Sequence, residues 1–213
     1  MPDIEKIPNP PTKRVFDIIT SLFILLLLSP LIVVILLAMA LEALVSNQAR
    51  RAFLYKETRI SQGRLFTFYK FNIFTKQGLS QHQVNGIIHT KNLEKNKSNL
   101  TFVGKILKQI YFDELPQIIN VLKGDMSLVG PRPTNQENSE RLFKEGQHAK
   151  YILKAGITGF FQSHKGLEVH GDQNELDMEY AEFIKNNPGW KIILYDIKIL
   201  LISVKTVLRA EGI

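Results

Sequence analysis

From Ile18 to Leu41 the chain runs 24 residues without a charge, IITSLFILLLLSPLIVVILLAMAL. A straight helix of that length measures about 36 Å, against roughly 30 Å for a hydrocarbon core. Leu, Ile and Val fall on every side of it, so no polar stripe marks it as a helix of a soluble domain. Lys13-Arg14 ahead and Ala38-Met39-Ala40 behind imitate a cleaved leader, but the apolar region far exceeds the usual ~7–15 residues. Membrane insertion is the expectation. Ser29-Pro30 sits at the middle, where Pro30 cannot donate to the Leu26 carbonyl and Ser29 can re-satisfy a freed backbone group. Each arm is then about 12 residues, roughly 18 Å, too short to cross alone. Basic residues flank both ends, Lys13 and Arg14 before and Arg50, Arg51, Lys56 and Arg59 after. The positive-inside tendency puts both flanks in the cytoplasm. The favoured reading is a re-entrant helix broken at Ser29-Pro30; a kinked spanning helix is the alternative.

The remainder organises around that anchor. Residues 1–12, with four prolines, read as a flexible lead-in, 13–45 as the membrane-embedded helix and 46–213 as a cytoplasmic catalytic domain. Phe53–Tyr55 and Leu65–Tyr69 predict short strands around Gly63, and the polar stretch Gln77–Asn99 predicts a long loop. Helices are expected over Phe102–Gln109, Pro116–Leu122, Asn135–Gly146, Asn174–Lys185 and Gly189–Arg209. The fold class is therefore α+β, mostly helical, with a small β element. In the last helix Trp190, Ile193, Leu194, Ile197, Leu200, Leu201, Val204, Val207 and Leu208 form one apolar face. Core packing is its default reading, and a basic amphipathic helix at the membrane surface the alternative.

Composition excludes several chemistries. There is no cysteine, so disulfide scaffolds, thiolate zinc sites and cysteine nucleophiles are out. The five histidines, His82, His89, His148, His164 and His170, never take metal-binding helical spacing. No Walker A, Gly-x-Gly-x-x-Gly or Gly-x-Ser-x-Gly motif occurs. Between Ser46 and Gly124 there are 13 basic against 4 acidic residues. Such a field attracts phosphates, or else is a solvated basic face.

The richest stretch is Phe112-Asp113-Glu114-Leu115-Pro116-Gln117, continuing to Gly130-Pro131-Arg132-Pro133. One reading is purely structural: Asp113 caps a helix, Glu114 favours its dipole and Gly124 closes it. The same geometry suits chemistry. A carboxylate at a positive helix end stays ionised and can attack phosphorus, and adjacent Asp113 and Glu114 can divide nucleophilic and metal-binding roles. The stiff Gly-Pro-Arg-Pro turn would fix Arg132 to clamp a phosphate bidentately.

These residues make the chain resemble the small monotopic phosphoglycosyl transferases of the bacterial sugar transferase family. The matching motifs are Lys13-Arg14-x-Phe16-Asp17, Ser29-Pro30 within the apolar run, Tyr69-Lys70-Phe71, Asp113 through Gln117, and Asn120-Val121-x-Lys123-Gly124-Asp125-Met126-Ser127. Val129 through Pro133, Gly156-Ile157-Thr158-Gly159 and Glu175-Leu176-Asp177-x-x-Tyr180 complete them, in order from Lys13 to about Arg209. The resemblance implies that Asp113 is a nucleophile taking sugar-1-phosphate from a nucleotide-diphosphate sugar, with UDP the expected nucleotide. Undecaprenyl phosphate then receives it at the bacterial inner membrane. It also implies Mg²⁺ at Glu114 with Asp113, phosphate binding by Arg132, and a substrate-facing set of Lys108, Arg59, Lys70, Gln117, Asp125, Pro131, Asp177 and Tyr180. Expected partners are membrane lipids and later glycosyltransferases or a second copy, with no nucleic acid. The chain departs from the family's pattern at Lys108, usually Arg, at Lys154-Ala155 for Arg-Pro, at Phe160 for Trp, around His164-Lys165-Gly166, and at Asn72. Altered sugar preference is the expected consequence. Two other classes compete: a catalytically silent scaffold, and a tethered basic module gripping nucleic acid or anionic lipid.

Overall fold

The computed structural model describes residues 4–81, 83–84, 87–88, 90–164 and 172–208. In chain order these form α1 (Pro11–Val45), β1 (Leu54–Ser61), β2 (Arg64–Phe71), α2 (Lys76–Gln81), β3 (Gln83–Val84) and β4 (Ile87–Ile88). Then come α3 (Thr90–Lys95), α4 (Phe102–Gln109), α5 (Gln117–Lys123), β5 (Ser127–Val129), α6 (Gln136–Lys144) and α7 (Ala149–Ile152). The chain finishes with β6 (Gly156–Thr158), α8 (Phe160–Ser163), α9 (Gln173–Asn186) and α10 (Gly189–Leu208). The sheets are three two-stranded pairs, β1 with β2, β3 with β4 and β5 with β6. The expected mostly helical α+β class holds. The long loop expected over Gln77–Asn99 instead carries α2, α3 and the short β3–β4 pair, since polar composition does not by itself forbid short helices.

The chain divides into two compact units that interleave along the sequence. The first takes residues 1–24, 57–68 and 117–213; the second takes 25–56 and 69–116. In the first, Phe66, Phe68, Val121, Met126, Leu128, Val129, Leu153, Tyr180, Ile192 and Ile199 make the core. Ile7 joins them, its amide donating to the Ile152 carbonyl at 3.0 Å and its carbonyl accepting from Gln62 Nε2 at 2.6 Å. Within the stretch read as a flexible lead-in, Ile4 also packs against this core. Gln62 and Gly63 turn β1 into β2 at φ 50° and 69°, the positive range that a two-residue hairpin turn needs. β5 and β6 run parallel, Ser127 opposite Gly156 and Val129 opposite Thr158.

Lys13 and Arg14, read in the sequence as a cytoplasmic basic flank of the anchor, are both engaged within the protein. Lys13 is 1% exposed and pairs with Asp196, whose other oxygen accepts from the Tyr180 hydroxyl at 2.6 Å. Arg14 donates to the Val121 and Leu122 carbonyls, closing the end of α5 just before Gly124. Asp17 accepts from Ser127 Oγ at 2.8 Å and the Leu128 amide at 3.2 Å. The Lys-Arg-x-Phe-Asp motif therefore ties the start of α1 to the protein around it.

α10 also reverses its default reading. Its buried positions include Ile192, Asp196, Ile199 and Thr206, whereas Trp190, Leu194, Ile197, Leu201 and Val204 are exposed. The apolar stripe seen in the sequence is for the most part the outer one, and the helix packs through a face that carries buried polar groups. Arg209 lies outside the described residues.

The second unit has its own core of Tyr55, Phe71, Ile73, Phe74, Leu93, Leu100 and Leu107, which Ile35 and Met39 of α1 join. The other sides of α1, including Leu26, Leu27, Val33, Val34, Leu37, Leu41 and Leu44, stay exposed. The helix is continuous through Pro30, and Ser29 Oγ donates at 2.8 Å to the Leu26 carbonyl that Pro30 cannot reach.

Candidate active site

α4 delivers the acidic pair. Thr101 caps it, accepting from the Gly104 amide at 3.0 Å, and Glu42 takes the Phe102 and Val103 amides at 2.6 and 3.2 Å. Those are the amides a helix start leaves unbonded. Gly104 lies so close to the Ile73 carbonyl that a Cβ there would fall 2.3 Å from its oxygen. Leu107 is buried one turn on. Tyr111, at φ 59°, ends the helix and turns the chain into a single 3-10 turn, Phe112–Glu114.

Asp113 is fully buried, and neither carboxylate oxygen has a hydrogen-bond partner among the described residues. This removes the capping reading, because a cap accepts backbone amides and Asp113 accepts none. α5 begins only at Gln117. The nearest cation is Lys70 on β2, with Nζ 3.7 Å from Asp113 Oδ2 and 2.9 Å from Glu114 Oε1. Burial pushes the Asp113 carboxyl up to about 6; Lys70 opposes that shift and Glu114 adds to it. A buried, unbonded carboxylate costs free energy unless something arrives to use it.

Lys70, expected to face substrate, is the partner of both carboxylates. Lys108 pairs at 2.7 Å with Glu94 of α3, a residue with no sequence signal, and weakly favours ionised Asp113. Asp113, Glu114, Lys70 and Lys108 are thus brought together within one unit.

The other expected site residues belong to the first unit. Arg132 is exposed between the buried Pro131 and Pro133. The glycines of the two motifs explain each other: a Cβ on Gly156 would fall 2.1 Å from the Gly130 nitrogen, and one on Gly159 2.4 Å from the Gly130 oxygen. The Gly-Ile-Thr-Gly motif is what lets the Gly-Pro-Arg-Pro turn lie against it. Arg59 pairs with Glu57 and donates to the Pro133 carbonyl at 3.0 Å, lying 5.2 Å over the Phe68 ring. Asp125 accepts from Asn120 Nδ2 at 3.3 Å beside Lys123, in the turn after α5. Gln117 is 2% exposed, its Nε2 without a partner among the described residues. Tyr180, expected to face substrate, is buried in the core, where its hydroxyl donates to Asp196 at 2.6 Å. Asp177 is buried, its carboxyl raised to about 6 by burial against the opposing pull of Lys150, which sequence reasoning did not single out. Phe160 stacks on His164 at 4.3 Å, while Lys165, Gly166, His82, His89 and His170 lie outside the described residues.

Asp113 and Glu114 offer only hard oxygen donors, which suit Mg²⁺. Among the described residues no cluster of three or more metal-ligating side chains occurs. The pair therefore fits an ion that takes one or two carboxylates and completes its shell with substrate phosphates and water, and the orphaned Asp113 oxygens are the observation that favours the fit.

The family model for bacterial sugar transferases matches residues 9–210. Over 94% of its length the chain is 34% identical to the uncharacterized sugar transferase EpsL of Bacillus subtilis, covering 89% of that protein. It is 34% identical, again over 94% of its length, to the undecaprenyl-phosphate galactose phosphotransferase of Salmonella typhimurium, but spans 41% of it. To the UDP-glucose:undecaprenyl-phosphate glucose-1-phosphate transferase of Klebsiella pneumoniae it is 33% identical over 90% of its length, spanning 39%. With its motifs in order and nearly its whole length matched, the chain belongs to the bacterial sugar transferase family.

Proposed function

We propose that this protein transfers a sugar-1-phosphate from a UDP-sugar to undecaprenyl phosphate, in two displacements at Asp113, as the first step of a surface glycan. One observation carries the reading: a carboxylate with no solvent exposure and no hydrogen bond among the described residues, beside Glu114 and Lys70. An Asp Oδ attacks the phosphorus bonded to the sugar oxygen. The bond from that phosphorus to the bridging oxygen breaks, and nucleoside monophosphate leaves with the electron pair. A phosphate oxygen of undecaprenyl phosphate then attacks the same phosphorus, frees the carboxylate and yields undecaprenyl-diphospho-sugar. The relatives' names supply the acceptor and the donor type.

Lys70 supports the first displacement by favouring ionised Asp113 against its burial, so the nucleophile is available above about pH 6. Its closer bond to Glu114 leaves Asp113 as the less encumbered carboxylate. Mg²⁺ held by Glu114 and Asp113 would neutralise charge developing on the phosphates. Arg132 supplies a planar fork for a phosphate. The membrane part of the reading is a re-entrant α1 with both flanks in the cytoplasm of the inner membrane. The outer stripe of α10 then lies at the lipid surface, as its flanking Lys191, Lys198 and Lys205 favour.

The test is release of nucleoside monophosphate from a panel of nucleotide sugars by the full chain in lipid nanodiscs, with undecaprenyl phosphate and Mg²⁺. Donor alone should leave one phosphosugar on the protein, seen by mass spectrometry, and Asp113→Asn should leave none. Turnover by Asp113→Asn would reject the covalent route.

A further inference from the structure

The turn that carries Arg132 is held in an unusual way. Pro131 and Pro133 have no N–H, so the segment has little to offer as donor and its orientation depends on what grips its carbonyls. Four consecutive carbonyls are each gripped, all at 3.0 Å: Pro131 by the Gly156 amide, Arg132 by Lys150 Nζ, Pro133 by Arg59 Nη1 and Thr134 by the Ile60 amide. The outer two are backbone bonds. The inner two come from cationic side chains on α7 and β1, and they grip the carbonyls of the exposed Arg132 and of Pro133 beside it.

Neither cation is placed for a cheaper purpose. Lys150 is 9% exposed, among buried Ala149, Tyr151 and Asp177, and burial lowers its pKa while Asp177 raises it. Burying an ammonium is costly, and a hydrophobic side chain would pack such a site with less penalty. Arg59 is oriented by Glu57 and by the Phe68 ring before it reaches Pro133. Both bring positive charge to the backbone of this turn, so a phosphate bound there would also feel two further cations fixed in the scaffold.

We propose that Lys150 and Arg59 are positioning residues for Arg132, fixing its backbone so that the guanidinium meets the donor phosphates in one orientation. The inference rests on the phosphate-binding role of Arg132 given above. It reassigns Arg59 from substrate contact to scaffold, and gives Lys150, with Asp177 as its buried counter-charge, a part in donor binding.

Two readouts test it on the full chain in nanodiscs. The first needs no turnover: hydrogen exchange at the Gly156 and Ile60 amides, which donate to the Pro131 and Thr134 carbonyls, should rise at least about tenfold in Lys150→Met and in Arg59→Gln, and return near the starting value in Lys150→Arg. The second is kinetic. Lys150→Met should raise KM for the nucleotide sugar about tenfold with kcat within about threefold, and Lys150→Arg should restore it. Added to Arg132→Ala, Lys150→Met should cost nothing more, because a residue acting through Arg132 has nothing left to position. Unchanged exchange in both Lys150→Met and Arg59→Gln, or losses that multiply in the double variant, would overturn the proposal. If Lys150→Met does not fold, Arg59→Gln carries both readouts from the other side of the turn. A starting protein that exchanges as expected but releases no nucleoside monophosphate overturns the functional reading, and the positioning role falls with it.

Discussion

Asp113 shows how far one residue's surroundings can reverse its apparent role. By spacing it is an acceptable helix cap; in the fold it is buried, and neither oxygen has a hydrogen-bond partner among the described residues. Its folded pKa of about 6 lies above the ordinary 3.8. Its contribution to stability is therefore greatest below about pH 4 and falls away as the pH climbs through 6. Asp113→Asn should abolish turnover yet stabilise the protein at pH 7 by about 1–3 kcal/mol, with the difference closing near pH 4 in thermal unfolding. A capping residue would give the opposite sign. Lys70→Met should move the acidic limb of the pH–rate profile above 6, since it removes the cation that favours the charged form. Lys108→Arg keeps the pairing to Glu94 and should hold turnover within about threefold, whereas Arg132→Lys should lose about 10- to 100-fold.

At the scale of elements, α1 is the clearest case of a defect repaired beside itself. Pro30 strands the Leu26 carbonyl, and Ser29 supplies the missing hydrogen. In lipid, Ser29→Ala should cost about 1–3 kcal/mol of thermal stability in nanodiscs, because no water can replace the hydroxyl. In a Pro30→Ala background the same change should be near neutral, since position 30 would then carry an amide able to reach the Leu26 carbonyl. α10 teaches a different lesson. Apolar periodicity located a helix but not its buried side, because Asp196 and Thr206 face inward to partners contributed by distant parts of the chain. Trp190 is the chain's one tryptophan and is exposed. Brominated lipid should quench its fluorescence if α10 lies on the bilayer, and leave it unchanged if the stripe faces water.

For the whole molecule, the question is on which side of the membrane each end of α1 emerges. The chain has no cysteine, so single cysteines report without background. Pro2→Cys and Ser46→Cys should be equally protected from an impermeant external thiol reagent in intact cells. Labelling of only one of them would establish a spanning helix and reject the re-entrant reading. The flanking-charge argument itself has lost weight, since Lys13 and Arg14 are engaged by Asp196 and by the end of α5.

What the sequence determined by itself was everything local or carried by an ordered set of motifs. The apolar run, the span of α4, the turn at Gly63 and the Asp113-Glu114 pair are all legible because propensity, hydropathy and spacing act between near neighbours; the break expected at Ser29-Pro30 is not among them, since α1 runs on through Pro30. The interleaved units, the inward face of α10, the pairing of Lys70 with both carboxylates and the grip of Lys150 on Arg132 were not. Each joins residues 18 to 183 positions apart. A buried charge also gives no mark in sequence until its counter-charge and the carbonyl it serves are folded around it. Only the tertiary structure decides which charges meet water and which meet one another, because desolvation is a property of the assembled interior.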